Sequence, residues 1–326
     1  MISENGIPIT DLMNKEEKSL DKNSFKDFAL EHGIKYLEHE ELSKHTSFKI
    51  GGPAEIFAKP SSKKQVSEIV DYCKNNNVPL FPLGKGSNLL VSDAGFRGVV
   101  LKLASGGAPE RLDGERIRCF GGVALPALSR FAQVQGLTGL EFACGIPGSV
   151  GGAVLMNAGA YGGCMGDVLE SVTVLRGDRT VELPANELAL GYRHTAMMES
   201  GEPIVSATFR LQTGDAAAID ARMTELLTAR REKQPLEYPS AGSFFKRPEG
   251  HFAGALIENC GLKGFRVGNA EISRKHAGFV INVGGATCAD VQELARQVRR
   301  KVLTETGVLL EPEVRLIGEE WKSWEE

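Results

Sequence analysis

Between Gly145 and Gly163 the chain reads Gly-Ile-Pro-Gly-Ser-Val-Gly-Gly-Ala-Val-Leu-Met-Asn-Ala-Gly-Ala-Tyr-Gly-Gly, seven glycines in nineteen residues. Glycine loses more conformational freedom on folding than any other residue, so such a run needs a reason. A flexible linker would interleave the glycines with serine and charge. Here Ile146, Val150, Val154, Leu155 and Met156 are apolar, and the run carries no charged residue. The segment therefore reads as buried backbone. Two readings stay open: plain close packing, or a cradle wrapped around a large flat cofactor that carries a diphosphate. Under the second, Gly145, Ile146, Pro147, Gly148, Ser149, Gly152, Asn157 and Gly159 are the cofactor-binding candidates.

A second glycine motif, Pro82-Leu-Gly-Lys-Gly-Ser-Asn-Leu-Leu-Val91, adds Gly84, Lys85, Gly86, Ser87 and Asn88 to those candidates. Successive N–H groups in such a turn form a concavity suited to phosphate oxygens. It is not the dinucleotide fingerprint GxGxxG. Its third glycine position is Leu89, and a strand rather than a helix is expected to follow. A simple tight turn explains the motif equally well.

The remaining polar motifs are Tyr192-Arg-His194, Arg230-Arg-Glu-Lys-Gln-Pro235, Gly242-Ser-Phe-Phe-Lys-Arg-Pro248, Lys275-His276 and Glu311-Pro-Glu-Val-Arg-Leu-Ile-Gly318. Singly each suits a solvated surface. No G-x-S-x-G elbow supports a serine hydrolase. The six cysteines form no CxxC pair and stand near no histidine at metal-ligand spacing, so they read as small buried thiols and no metal is expected. A formal net charge of -4 offers no global basic surface for nucleic acid. No apolar run is long enough to span a bilayer, and Met1–Asn14 lacks the pattern of a signal peptide. The expected location is the cytoplasm.

Periodicity organises the rest. Val66, Ile69, Val70 and Cys73 form a helical stripe behind a Ser61 or Ser62 cap. Short strands are expected at 78–83, 88–92, 98–103 and 117–120, then a helix ended by Gly136. A hairpin follows at 172–175 and 180–183, turning on Gly177-Asp178. After a strand at 203–211, a helix from Ala216 to about Lys233 opens a second unit. Thr287-Cys-Ala-Asp290 is a capping box for a further helix closed by Gly307. Residues 1–44 read as a polar, mobile or loosely docked extension with weak helical patterning around Phe25–His32. Residues 45–213 read as one domain with an internal break near 105, residues 214–318 as a second, and 319–326 as a tail.

Taken together, His45-Thr-Ser-Phe-Lys-Ile-Gly-Gly-Pro-Ala54, PLGKGSNLLVSD, GIPGSVGGAVLMNAGAYG, YRHT, REKQP, GSFFKRP and EPEVRLIG resemble, in this order, the UDP-N-acetylenolpyruvoylglucosamine reductase family over about residues 45–318. The resemblance implies an α+β chain. It would have an FAD-binding fold of the vanillyl-alcohol-oxidase type, in two α+β subdomains, and a C-terminal α+β substrate domain. It implies that NADPH reduces FAD and that the flavin N5 gives hydride to the enolpyruvyl methylene of UDP-N-acetylglucosamine enolpyruvate, a step of peptidoglycan precursor synthesis. Residue by residue, it implies Arg193 at the substrate carboxylate, Ser243 as proton donor and Glu313 as the third catalytic group. Lys233, Lys246 and Lys275 would meet the nucleotide diphosphate or the carboxylate. The chain is expected to act as a monomer. Two departures stand out. Arg247 occupies the place usually held by asparagine after GSFFK, and the stretch from Arg193 to Lys233 is too short for the tyrosine-bearing loop of one subclass. A different FAD-linked oxidoreductase, acting on an alcohol or sugar, is the alternative.

Overall fold

Ser62 starts the first long helix that the periodicity predicts. Its Oγ accepts the Gln65 amide at 3.2 Å, and Val66, Ile69 and Cys73 lie on the buried side of Lys63–Asn75. The computed structural model describes residues 20–103, 107–176 and 179–318. Residues 1–19, the expected break near 105, the Gly177-Asp178 turn and the tail 319–326 lie outside the described residues.

Contacts divide the chain into two units. The first takes Met1–Glu38, Ile56–Gly84 and Arg97–Leu227, and the second takes His39–Glu55, Lys85–Phe96 and Thr228–Glu326. The expected boundary near residue 213 falls at the strand Gln212–Thr213, whereas contacts change hands at Leu227, inside the helix Ala216–Lys233. The second unit also draws in two early segments, because Leu89–Val91 pairs in parallel with Arg315–Ile317. Local periodicity cannot register a pairing so distant in sequence.

A four-stranded sheet, most of whose residues belong to the first unit, has the order Lys35–Glu41, Pro53–Lys59, Phe96–Lys102, Leu80–Leu83. Its last two strands run parallel, from Leu80 opposite Val99 to Leu83 opposite Lys102, so Gly84 emerges at their shared carboxyl end. A five-stranded antiparallel sheet follows, in the order Arg179–Pro184, Leu169–Arg176, Ile204–Arg210, Arg116–Phe120, Glu110–Asp113. The expected hairpin forms with Val172 opposite Leu183 and Leu175 opposite Thr180. Helices Leu125–Val134 and Val150–Leu155 complete its core around Ile117, Leu128, Val154, Val172 and Phe209.

Regular structure begins earlier than the expected start near His45. Asp21 caps the helix Lys22–Glu31 by accepting from the Asn23 and Ser24 amides. Phe25 is fully buried and meets Tyr36 and Tyr72 edge-on, with ring centroids 5.6 and 5.4 Å apart. The weak helical pattern around Phe25–His32 is thus the helix Lys22–Glu31, and a few large aromatics dock it.

In the second unit a four-stranded antiparallel sheet runs Ser240–Ser243, Phe279–Asn282, Ala270–Ile272, Arg266–Val267. Helices Ala253–Asn259 and Cys288–Thr306 cover it, with Phe244, Ile257, Val280, Val291 and Val298 in the core. The capping box forms as expected. Asp290 N–H donates to Thr287 Oγ1 at 3.0 Å, and Thr287 N–H donates to the Asp290 carboxylate at 3.1 Å. Asp93, the last residue of the PLGKGSNLLVSD motif, adds a carboxylate to the same helix start. It accepts from the Cys288 and Ala289 amides at 2.8 and 3.0 Å, where negative charge is favoured.

The turn beside Asp93 gives a first prediction. Gly95 has φ +82, and a Cβ there would drive into the Pro53 carbonyl. Gly95→Ala combines a left-handed penalty of about 1–2 kcal/mol with an overpacking cost of about 1–3 kcal/mol. A loss of about 2–5 kcal/mol is expected in equilibrium urea unfolding. A loss under about 1 kcal/mol would mean that the turn yields.

Candidate active site

Within the first unit Gly84, from the start of the PLGKG motif, meets Ser149 of the glycine-rich run. Gly84 packs so closely on Ser149 that a Cβ at Gly84 would overlap the serine Oγ, and Lys102 Nζ donates to the Gly84 carbonyl. Ser149 caps the short helix Val150–Leu155 through the Gly152 amide at 3.3 Å. Gly151 donates to the Gly121 carbonyl at 2.8 Å and seats this helix against the sheet. Gly151 thus fits the packing reading of the run. At Gly84 the Ser149 hydroxyl lies directly against the glycine backbone, with no room for a further side chain. That surface suits a large flat group with a diphosphate.

The Tyr192-Arg-His-Thr195 turn is tied to the same segment. Asn157 is buried; its Nδ2 donates to the Gly191 carbonyl at 2.9 Å and its Oδ1 accepts from the Gly166 amide at 2.8 Å. Thr195 Oγ1 donates to the Leu155 carbonyl at 2.8 Å. Gly191 and His194 bridge the turn with two backbone hydrogen bonds, at 3.0 and 3.3 Å. Arg193 between them has φ +55, a conformation that costs a non-glycine residue about 1–2 kcal/mol. Its Nη2 donates to the Gly159 carbonyl at 3.1 Å, and its guanidinium lies over the Tyr192 ring, 5.0 Å from the centroid. His194 serves this turn through its backbone.

The second unit brings two more expected residues together. Ser243 ends the strand Ser240–Ser243, opposite Phe279, and is exposed. The next residues run antiparallel to the EPEVR segment. Phe245 bridges Pro312, the Phe244 carbonyl accepts from the Glu313 amide at 2.8 Å, and Lys246 N–H donates to the Glu311 carbonyl at 2.8 Å. Ser243 and Glu313 thus sit on adjoining segments. Asn88 joins them: its Nδ2 donates to the Glu313 carbonyl at 3.2 Å and its own carbonyl accepts from the Arg315 amide at 3.1 Å. Ser47, from the HTSFKIGGP motif, braces this unit with Oγ donating to the Ser240 carbonyl at 2.7 Å.

The expected substrate lysines are held differently. Lys233 is exposed at the end of its helix. Lys246 Nζ lies 3.2 Å from the Glu311 carboxylate. Lys275 Nζ donates to the Arg231 carbonyl at 2.7 Å. Arg247 covers the Phe252 ring at 4.0 Å and donates to the His251 carbonyl at 3.4 Å. His276 is a staple: its Nδ1 accepts the Gly278 amide at 3.1 Å, and burial holds its pKa below the ordinary value. All six cysteines are free, and burial pushes the Cys73 and Cys119 thiols up to about 12.

Sequence reasoning passed over Arg315. It lies two residues beyond Glu313, and burial pushes its guanidinium down from its usual value. Its signal was a basic residue enclosed by apolar neighbours in Val314-Arg-Leu-Ile317.

A family model described as an FAD binding domain matches residues 54–182, and one described as the UDP-N-acetylenolpyruvoylglucosamine reductase C-terminal domain matches residues 234–317. The reductase of Clostridium botulinum (strain Eklund 17B / Type B) is 46% identical over 308 residues, 94% of this chain and 99% of the relative. The chain belongs to the UDP-N-acetylenolpyruvoylglucosamine reductase family. The Clostridium beijerinckii reductase is 50% identical over 281 residues, 86% of this chain and 92% of the relative. The crystal structure of the Thermus caldophilus reductase superposes with a TM-score of 0.74 at 36% identity, covering 87% of this chain and 98% of the other. The expected fold class, an α+β FAD-binding region followed by an α+β C-terminal region, agrees with these matches and with the sheets described above.

Proposed function

We infer that the chain is an FAD-dependent oxidoreductase. It uses NADPH to reduce the enolpyruvyl group of UDP-N-acetylglucosamine enolpyruvate to the D-lactyl ether of UDP-N-acetylmuramate, in peptidoglycan precursor synthesis. The observation that carries the reading is identity of 46–50% with reductases of this name over most of the chain. The match of residues 234–317 to that family's own C-terminal model disfavours an oxidase of alcohols or sugars.

FAD, when bound, supplies hydride relay from NADPH to the substrate. The chain's residues do the rest. Gly84–Asn88 and Gly145–Gly159 hold the cofactor mainly through backbone. Arg193 grips the substrate carboxylate, into which negative charge spreads as hydride arrives at the methylene carbon. A fixed cation there stabilises the transition state more than the ground state. Ser243 gives its hydroxyl proton to the adjacent carbon. It is a weak acid, but the developing carbanion is a strong base, so placement outweighs pKa. Glu313 steadies the enolic acid form, and Lys233, Lys246 and Lys275 offer point charges for the diphosphate. In this scheme residues 45–213 serve the cofactor, apart from Arg193, and 214–318 serve the substrate. The enzyme works as a monomer in the cytoplasm, without nucleic acid or membrane; among the described residues no helix is long and apolar enough to cross one.

Anaerobic stopped-flow spectroscopy tests this. NADPH should bleach the bound flavin, and UDP-N-acetylglucosamine enolpyruvate should restore the oxidised spectrum with lactyl ether formed. A flavin that bleaches but ignores this substrate would discard the reaction while keeping the cofactor.

A further inference from the structure

We propose that Asn157 is a positioning residue for Arg193, tying the turn that carries the arginine to the glycine-rich segment; the proposal rests on the reading of Arg193 as the carboxylate-binding group.

Asn157 was a cofactor-binding candidate on sequence grounds. The structure engages both ends of its amide within the protein. The donor goes to Gly191, two residues before Arg193, and the acceptor takes the Gly166 amide. A buried amide with both ends paired is a brace, and removing one end leaves an unsatisfied polar group. What it braces is unusual. Arg193 stands in the left-handed region, which unbranched L-residues occupy only when neighbours over-determine it. The bonds that hold the turn include the Gly191–His194 bridge, the Thr195 hydroxyl on Leu155 and the Asn157 amide on Gly191. Two of these three anchor the turn to residues 155–157, immediately before Gly159, whose carbonyl accepts from the Arg193 guanidinium. Asn157 itself has φ +39, and asparagine tolerates that region better than most residues. The side-chain bonds and the backbone conformation thus both favour asparagine at this position. The bond to Gly191 fixes where the strained turn sits, and so where the guanidinium is presented.

Asn157→Asp isolates the donor. It keeps an oxygen for the Gly166 amide and sets a second oxygen against the Gly191 carbonyl. Substrate-driven reoxidation of the flavin should slow by roughly 10–100-fold, as for a misplaced reacting group. The same substitution in an Arg193→Ala background should add almost nothing, because residues that act through one another are non-additive. Asn157→Gly, which relieves the backbone but loses both bonds, should slow the same half-reaction and not rescue it. FAD retention on gel filtration gives the separate readout: Asn157→Asp should hold FAD as the parent does. Loss of FAD, or equal slowing of both half-reactions, would make Asn157 a cofactor contact and overturn the proposal. So would a full additional loss in the Arg193→Ala background. If Arg193→Ala alone leaves reoxidation unchanged, the carboxylate reading fails and the proposal falls with it. If Arg193→Ala is slow but Asn157→Asp is not, the positioning role alone is wrong.

Discussion

Ser243→Ala is expected to slow substrate-driven reoxidation of the flavin by about 10²-fold or more, while NADPH-driven reduction stays close to the wild-type rate. The split follows from where the residue stands. Ser243 is exposed at the end of its strand, whereas Phe244 and Phe245 beside it are buried and hold the strand end against Pro312 and Glu313. Deleting one hydroxyl leaves that packing and the Phe244–Glu313 backbone bond in place. Stability should therefore change by less than about 0.5 kcal/mol, as at an ordinary surface position. Only the step that needs a proton at the carbon beside the methylene should suffer. Rapid-mixing of each half-reaction on the same preparation makes the test. Equal slowing of both halves would show a damaged site rather than a missing donor, and an unaffected second half would move the proton to another group.

The limits of sequence reading follow the range of each physical signal. Helices were readable where a cap and a stripe lie within one turn of each other, as with Ser62 before Val66 and Thr287 with Asp290. The helix around Phe25 showed only a weak pattern, and its docking was not legible, because that depends on Tyr36 and Tyr72, which no local pattern couples to it. The same applies to the division of the chain. Leu89–Val91 looks like one more strand of the first region until its parallel partner Arg315–Ile317 is seen. At the candidate site, motif resemblance supplied Arg193, Ser243 and Glu313, but not the supports. Nothing in the spelling of Asn157 or Asn88 says that each donates its amide to a carbonyl behind a catalytic candidate, at Gly191 and at Glu313. Asparagine in a glycine-rich loop reads as a ligand donor because both roles want the same residue.

Arg193→Lys is expected to lower turnover by about 10²-fold or more while the protein folds normally. Lysine keeps the charge and suffers no more than arginine from the positive φ at this position, so the turn held by Asn157 and Thr195 should persist. What is lost is geometry. A guanidinium can lie over Tyr192, donate to Gly159 and still present a planar edge, whereas an ammonium offers a single compact charge. The separation of effects carries the argument. If the clamp matters most as negative charge spreads into the carboxylate, the reoxidation rate falls steeply while substrate binding weakens only modestly. A variant that loses binding and rate in equal measure from the ground state would make Arg193 a general anchor. Turnover like the wild type would remove it from the carboxylate altogether, because a bidentate contact is the one feature that lysine cannot reproduce.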